Sequence, residues 1–178
     1  ENYDILPDLF TTAKGLSGGL PQSALVGRRE LMDIYAPNTM TSTHSGSPVA
    51  SAGTAANIKF LKEHNMCEEA LRKGKIMEEK LKALWKQFPE RISYVSGIGM
   101  AWAVTFAEAD THAIHPEFAL EVTKKCNENG LTFFAAVGAG ITMKLTPPLT
   151  IPDDALIEGL EAYATAVAEA DAIMPAYK

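Results

Sequence analysis

Apolar positions repeat with a helical period along two long stretches of the chain. Between residues 68 and 88 they form one stripe, and Pro89 follows, so the pattern predicts a helix that ends there. A second stripe begins after Pro152 and predicts the last helix. The stripes consist of Ala70, Gly74, Met77, Leu81, Leu84 and Phe88 in the first helix and of Leu156, Leu160, Tyr163 and Val167 in the last.

Start and stop signals predict three further helices. Ser47 followed by Pro48 has the pattern of an N-cap and a first helical residue, which predicts a helix over residues 49–63 with Ser47 as its cap. Proline and glycine bound another helix from residue 116 to residue 130, and a short helix is predicted over residues 28–35.

The remaining apolar runs are short and favour strands. They are predicted at residues 9–13, 22–26, 92–95, 100–106, 131–134 and 141–145. From residue 92 onward the order strand, strand, helix, strand, strand, helix predicts an α+β unit on an antiparallel or mixed sheet. We therefore predict an α/β fold class with two domains, residues 1–75 and 76–178, and the long charged helix near their joint.

Charge and composition exclude several classes of function. The net charge is −6, and the densest basic stretch is interleaved with glutamates, which predicts a solvated helix face and argues against nucleic acid or a membrane surface as partner. That basic stretch comprises Arg72, Lys73, Lys75, Lys80, Lys82 and Lys86. The two cysteines are too few and too far apart for a zinc site or a disulfide framework, and no metal site is predicted. The sequence predicts a soluble cytoplasmic protein.

The stretch TTAKGLSGGLP, residues 11–21, places Lys14 between a predicted strand and a glycine-rich loop. A lysine amine is a nucleophile only when neutral, and burial beside such a loop favours the neutral form. A plain surface lysine is the alternative. A phosphate-binding P-loop is excluded because its glycines precede the lysine. The match to G-x-S-x-G leaves a remote alternative, a serine hydrolase at Ser17, although extended chain follows where that motif needs a helix.

The second polar stretch, TMTSTHSGSP, covers residues 39–48 in front of a predicted helix. Hydroxyl groups and free backbone N–H groups at a helix start are suited to a phosphate monoester. The alternative is a loop whose hydroxyls only satisfy turns and cap the helix.

Together these two stretches and KLTPPLTIPDD, residues 144–154, resemble the class III aminotransferases of the ornithine and 4-aminobutyrate type. Those are fold-type I enzymes that use pyridoxal 5′-phosphate. The resemblance implies the last part of the large α/β domain, followed by an α+β C-terminal small domain. The three blocks occur in the family's order.

The resemblance also implies roles for individual residues. Lys14 matches the Schiff-base lysine that holds the cofactor aldehyde and then moves a proton between the substrate Cα and the cofactor. Thr43 matches the threonine that binds the cofactor phosphate across the interface of a homodimer, and its neighbour Ser42 is a second candidate for that contact. The glycines after Lys14 would let the chain turn tightly under the cofactor.

Two departures from the family pattern bear on function. Lys144 stands where the family commonly has an arginine that binds a substrate carboxylate, and a lysine offers a point charge without the planar fork. The family's aspartate that pairs with the pyridine nitrogen would lie upstream of residue 1, and without it the ring is a poor electron sink. We therefore expect this chain to need an upstream part for catalysis and to be inactive alone.

The activity implied by the resemblance is transamination between an amine or amino acid and a keto acid or aldehyde. A racemase or epimerase of the same family is an alternative, because it shares Lys14 and the threonine block. A non-catalytic fragment that keeps the fold is another. The sequence does not specify the amino donor or the acceptor.

Overall fold

The structure is a computed structural model, and it describes residues 3–108, 113–134, 137 and 140–175. The chain divides into two compact units, Glu1–Asn65 and Met66–Lys178. Among the described residues, no helix is both long and apolar enough to cross a membrane.

The first unit contains a strand hairpin and a helix rich in small residues. Its elements are β1 (Leu9–Thr12), a 3-10 turn (Lys14–Ser17), β2 (Ala24–Gly27), α1 (Arg29–Met32) and α2 (Pro48–Glu63). The two strands pair antiparallel, with Leu9 opposite Gly27 and Thr12 opposite Ala24. The predicted elements are therefore present. However, α1 is shorter than predicted, and within the part of the chain that the structure describes the Ser47 side chain makes no hydrogen bond that caps α2.

Among the described residues, the second unit packs three helices with one antiparallel sheet. Its elements are α3 (Met66–Gln87), β3 (Ile92–Ile98), β4 (Ala101–Phe106), α4 (Pro116–Glu128), β5 (Thr142–Leu145) and α5 (Asp153–Ile173). The sheet order is β3-β4-β5. The predicted stripe of α5 is buried throughout, and in α3 the central residues of the stripe are buried while its two ends are partly buried. Both helices therefore form one hydrophobic core with the sheet.

The turn between β3 and β4 packs directly against α3. A Cβ at Gly74 would lie 2.6 Å from the carbonyl oxygen of Gly99, so only glycine permits this approach of helix to turn. Trp102 donates its indole N–H to the same oxygen at 2.9 Å. Gly99 itself has φ +55, a left-handed conformation that glycine adopts at little cost.

The predicted strand at residues 131–134 is wrong. This segment pairs with no strand of the described residues; instead the Leu131 N–H donates to the Cys126 carbonyl at 2.8 Å, at the end of α4. Leu131 and Phe133 pack partly buried against the core, and the Phe133 ring stacks on Tyr163 of α5 at 5.6 Å. The apolar alternation at residues 131–134 therefore comes from packing against a helix. In the sequence, this packing gives the same alternating pattern as a half-buried strand.

Candidate active site

Lys14 lies immediately after β1, where the chain leaves the strand. Ala13 is extended, and Lys14 adopts φ +50, in the left-handed region. That conformation costs an L-residue about 1–2 kcal/mol. Strained residues of this kind persist only where surrounding structure holds them, and they concentrate at functional sites. The residue that the sequence singled out is therefore also conformationally unusual.

An open cavity of about 580 Å³ lies beside Lys14. Its lining residues are Thr11, Thr12, Ala13, Lys14, Ser23, Ala24 and Leu25. Three of these residues carry hydroxyl groups and none is acidic. Lys14 is exposed, and its ammonium forms no hydrogen bond or ion pair with any residue that the structure describes. The amine is therefore available to a ligand, and none of the described lining residues would repel an anion.

A hydrogen bond from a serine hydroxyl stabilises the turn that follows Lys14. Ser17 is buried, and its hydroxyl donates to the carbonyl of Leu20. Gly18 and Gly19 then take φ +70 and +131, so the glycines do provide the tight turn that the sequence predicts. The chain continues into β2 and not into a helix. Ser17 therefore acts as a structural turn residue, and the geometry of a hydrolase elbow is absent from this part of the chain.

We call residues 39–47 the threonine loop. Several of its hydroxyls are used locally: the Ser42 and Ser45 hydroxyl oxygens are 3.0 Å apart, and Thr39 donates to the Ala36 carbonyl at 2.6 Å. Thr43 is exposed, and its hydroxyl bonds to none of the described residues. Local turn bonds thus account for Ser42, whereas the Thr43 hydroxyl remains available.

Neither Thr43 nor Ser42 lines the cavity beside Lys14. Within a single chain the structure therefore does not bring the lysine and the threonine loop to one site. Their contact with a phosphate, and its location across a dimer interface, stay predictions.

Lys144 lies in the second unit, on β5, where it pairs with Ala103. Its side chain is exposed and lines a cavity of about 350 Å³. The other lining residues are mostly apolar; the hydroxyls of Thr132 and Thr146 are the exceptions. A lone cation at the rim of an apolar cavity suits a ligand with one anionic group, but the role of Lys144 stays a prediction.

Lys73 corrects the expectation of a solvated basic face on α3. It is only 5% exposed, and its ammonium donates to the carbonyls of Leu149 and Ile151 at 3.0 and 2.6 Å. The Glu69 carboxylate lies 3.5 Å away. Lys73 precedes Met77 by one helical turn, and this spacing places it on the buried stripe of α3. Lys73 thereby holds the segment that follows Lys144.

Asn57 is a second residue that the sequence did not indicate. From the middle of α2 its side-chain amide donates to the carbonyls of Gly15 and Leu16 at 2.8 and 3.0 Å. Its partners lie 42 and 41 residues earlier in the chain, so no local pattern reveals the contact.

Comparison of the sequence with known proteins identifies the family of this chain. The sequence model of the family Aminotransferase class-III matches residues 1–167. A Bacillus subtilis protein named probable 4-aminobutyrate aminotransferase is 34% identical over 161 residues, which cover 90% of this chain and 37% of that protein. A leucine/methionine racemase of Thermococcus litoralis is 33% identical over 172 residues, covering 96% of this chain and 38% of that protein.

Comparison with solved structures also identifies an aminotransferase fold. The ornithine aminotransferase of Plasmodium yoelii superposes with a TM-score of 0.83 at 29% identity, covering 96% of this chain and 43% of that one. The predicted fold class, that of the fold-type I transaminases, is thereby confirmed. The chain spans about 37% of the length of the curated relatives it matches. On its sequence and its fold, this chain belongs to the class III aminotransferases.

Proposed function

We propose that this chain, combined with the remaining part of an aminotransferase fold, catalyses transamination with pyridoxal 5′-phosphate as cofactor. The donors would be amines or amino acids, and the acceptors keto acids or aldehydes. Membership of the class III family supports the reaction class. The observation that carries the proposal is the amine of Lys14, free of any described partner, beside an open cavity at the end of β1.

The residues around Lys14 fit such a cofactor. An aldehyde requires an amine that is not held in an ion pair, and Lys14 meets this condition among the described residues. A phosphate ester requires surroundings without acidic groups, and the cavity is lined by hydroxyl-bearing and apolar residues beside the lysine. Lys14 lies two residues beyond the last paired residue of β1 and has a left-handed backbone conformation.

When bound, pyridoxal phosphate supplies an aldehyde that forms a covalent bond with an amine and a ring that accepts the electron pair of the broken Cα–H bond. Lys14 would hold that aldehyde until the substrate amine displaces it. The freed Lys14 amine would then accept the proton from the substrate Cα and deliver it to C4′ of the cofactor. One residue thus anchors the cofactor and transfers the proton.

Thr43 and Lys144 are proposed to bind the two anionic groups of the reaction. The Thr43 hydroxyl, available in the threonine loop, would donate to the cofactor phosphate bound in the partner subunit of a homodimer, with Ser42 as a weaker candidate. Lys144 would attract a substrate carboxylate as a point charge. Residues 1–75 would form the distal part of the cofactor-binding large domain, and residues 76–178 would form the C-terminal small domain. We propose a cytoplasmic location for the protein.

Racemisation is the second candidate function. It is favoured by the 33% identity to the leucine/methionine racemase. Racemisation uses the same lysine but returns the proton to Cα, so Lys14 does not distinguish the two reactions.

A nitrogen-transfer experiment separates the two functions. The longest natural polypeptide that contains this sequence would be incubated with pyridoxal phosphate, a ¹⁵N-labelled amino acid and a keto acid. We expect ¹⁵N in the amino acid formed from the keto acid, and loss of this transfer in Lys14→Ala. Inversion of the donor without transfer of ¹⁵N would establish racemisation instead. Unchanged transfer by Lys14→Ala would contradict the assignment of Lys14.

A further inference from the structure

The turn that carries Lys14 is tied to helix α2 by one side chain. The Asn57 amide nitrogen lies 2.8 Å from the Gly15 carbonyl oxygen and 3.0 Å from that of Leu16. Gly15 is the residue directly after Lys14. A single amide therefore fixes two successive peptide groups next to the lysine.

These carbonyls have few other partners. In a turn of four residues, most carbonyl groups lack an intrahelical donor. The Gly15 carbonyl otherwise accepts only a long bond of 3.4 Å from the Gly18 N–H, and the Leu16 carbonyl accepts no other described bond. Asn57 thus supplies the donor that the turn itself lacks.

Helix α2 and the turn that carries Lys14 approach each other closely. A Cβ at Gly18 would lie 3.3 Å from the Asn57 amide oxygen. One turn earlier on α2, a Cβ at Gly53 would lie 2.9 Å from the Leu20 side chain and 3.5 Å from the Ser17 carbonyl. Small residues on α2 therefore allow the helix to approach the turn closely enough for the asparagine to reach both carbonyls.

The backbone of Lys14 needs such support. Its φ of +50 is unfavourable for a residue with a Cβ and persists only when the surrounding structure holds it. We propose that Asn57 is a positioning residue for Lys14: by holding the Gly15 and Leu16 carbonyls, it keeps the amine of Lys14 directed to its cavity. This proposal rests on the proposed role of Lys14 as the cofactor-binding lysine.

The test compares Asn57→Asp with Asn65→Asp in the longest natural polypeptide that contains the chain. Asn57→Asp keeps the size of the side chain and removes the N–H donor. Asn65→Asp makes the same charge change at an exposed position whose side chain bonds to none of the described residues. Circular dichroism would establish that each variant folds. Asn57→Ser, which is uncharged, would replace Asn57→Asp if the latter does not fold.

The first measurement is the rate at which pyridoxal phosphate is captured at Lys14, trapped by borohydride and located by peptide mapping. We expect Asn57→Asp to slow capture about tenfold, as for the loss of one or two neutral hydrogen bonds, and Asn65→Asp to leave it unchanged. We also expect kcat to fall with KM for the amino donor unchanged. Capture at the unaltered rate in a folded Asn57→Asp would overturn the proposal.

The second measurement is trypsin cleavage of the Lys14–Gly15 bond in cofactor-free protein, which depends on the order of the turn and not on chemistry at the amine. We expect faster cleavage in Asn57→Asp than in the unaltered protein and in Asn65→Asp; equal cleavage would overturn the proposal. If the unaltered protein captures no cofactor at Lys14, the proposed function fails, and trypsin cleavage alone still decides whether Asn57 holds the turn.

Discussion

Lys14 and Lys73 show how the same side chain takes opposite roles in one chain. Lys73 is buried and donates to two carbonyl groups, so its ammonium is occupied by the fold. Lys14 is exposed beside a cavity, with no described partner. A buried charge persists only when it is hydrogen-bonded or paired, whereas an amine that has to react must stay free. Because Lys14 is exposed, it lacks the burial expected to favour a neutral amine; its proposed role rests on the absence of a described partner and on its place beside the cavity.

Thr43 is the residue proposed to bind the cofactor phosphate. Thr43→Ala in the longest natural polypeptide that contains the chain should raise the dissociation constant for pyridoxal phosphate, because the proposed hydrogen bond to its charged phosphate would be lost. The expected cost is about 1.5–3 kcal/mol. A cofactor titration measures it, and Thr41→Ala, a second exposed threonine of the same loop, is the matched control.

The proposed contact of Thr43 with the cofactor bound in the partner subunit allows a second test. A dimer that combines one Lys14→Ala subunit with one Thr43→Ala subunit should retain one intact site. Its activity should therefore exceed that of either parent homodimer. Hybrid dimers no more active than both parents would argue that Thr43 serves the site of its own chain.

At the scale of elements, α3 depends on its contact with the β3–β4 turn. Gly74→Ala should lower the free energy of unfolding by about 1–3 kcal/mol, the usual cost of overpacking, because the new methyl group would meet the Gly99 backbone. Gly159→Ala in α5 is the control: its Cβ would lie 3.7 Å from Leu131, an ordinary contact. The control should stabilise by about 0.5–1 kcal/mol through helix propensity. Urea unfolding measures the free energy of unfolding of both variants. Equal changes in Gly74→Ala and Gly159→Ala would disprove the close approach of Gly74 to the Gly99 backbone.

The link between α3 and α5 predicts a dependence on pH. Hydrogen bonds from the Arg72 guanidinium hold the pKa values of Glu69 and Asp153 below their ordinary values of 4.5 and 3.8. The unfolded chain then binds more protons near and below those values, so this contribution to stability is present above them and is lost as the pH falls further. All three groups are substantially exposed, and the effect should be small and weakened by salt.

Arg72→Met should therefore make the loss of stability in acid shallower. Urea midpoints measured between about pH 3 and pH 6 would reveal the difference. Lys82→Met removes the same charge from α3 without contact to Asp153 and should leave the slope close to that of the unaltered protein. An identical acid slope in Arg72→Met and the unaltered protein would mean that Arg72 does not lower these two pKa values.

Helices whose apolar residues repeat over several turns were predictable from the sequence. Elements defined by contacts between residues far apart in the chain were not. The stripes of α3 and α5 indicate their buried faces because helix geometry repeats within a few residues. The alternation at residues 131–134 predicted a strand, which is wrong because Phe133 packs on Tyr163 of α5. The local sequence does not reveal this partner. The same holds for the site: Lys14 stands out beside its glycines, whereas Asn57 and Lys73 act through carbonyls more than 40 residues away.

At the scale of the whole molecule, the first unit exposes apolar residues on its hairpin. Leu9, Phe10, Leu25 and Val26 are 44–51% exposed. A hairpin of two strands is marginally stable alone and normally packs against further structure. Because the chain spans about 37% of the length of its relatives, we expect the rest of an aminotransferase fold to cover this hairpin. Activity should accordingly be measured on the longest natural polypeptide that contains the chain.

Lys14 is the residue that we propose binds the cofactor covalently. The most direct test of this proposal is reduction with borohydride in the presence of pyridoxal phosphate, followed by proteolysis and mass-spectrometric mapping of the modified lysine. We expect one pyridoxyl group per chain, located on Lys14, and none in Lys14→Ala. A pyridoxyl group on Lys59 or Lys62, or no modification at all, would contradict it.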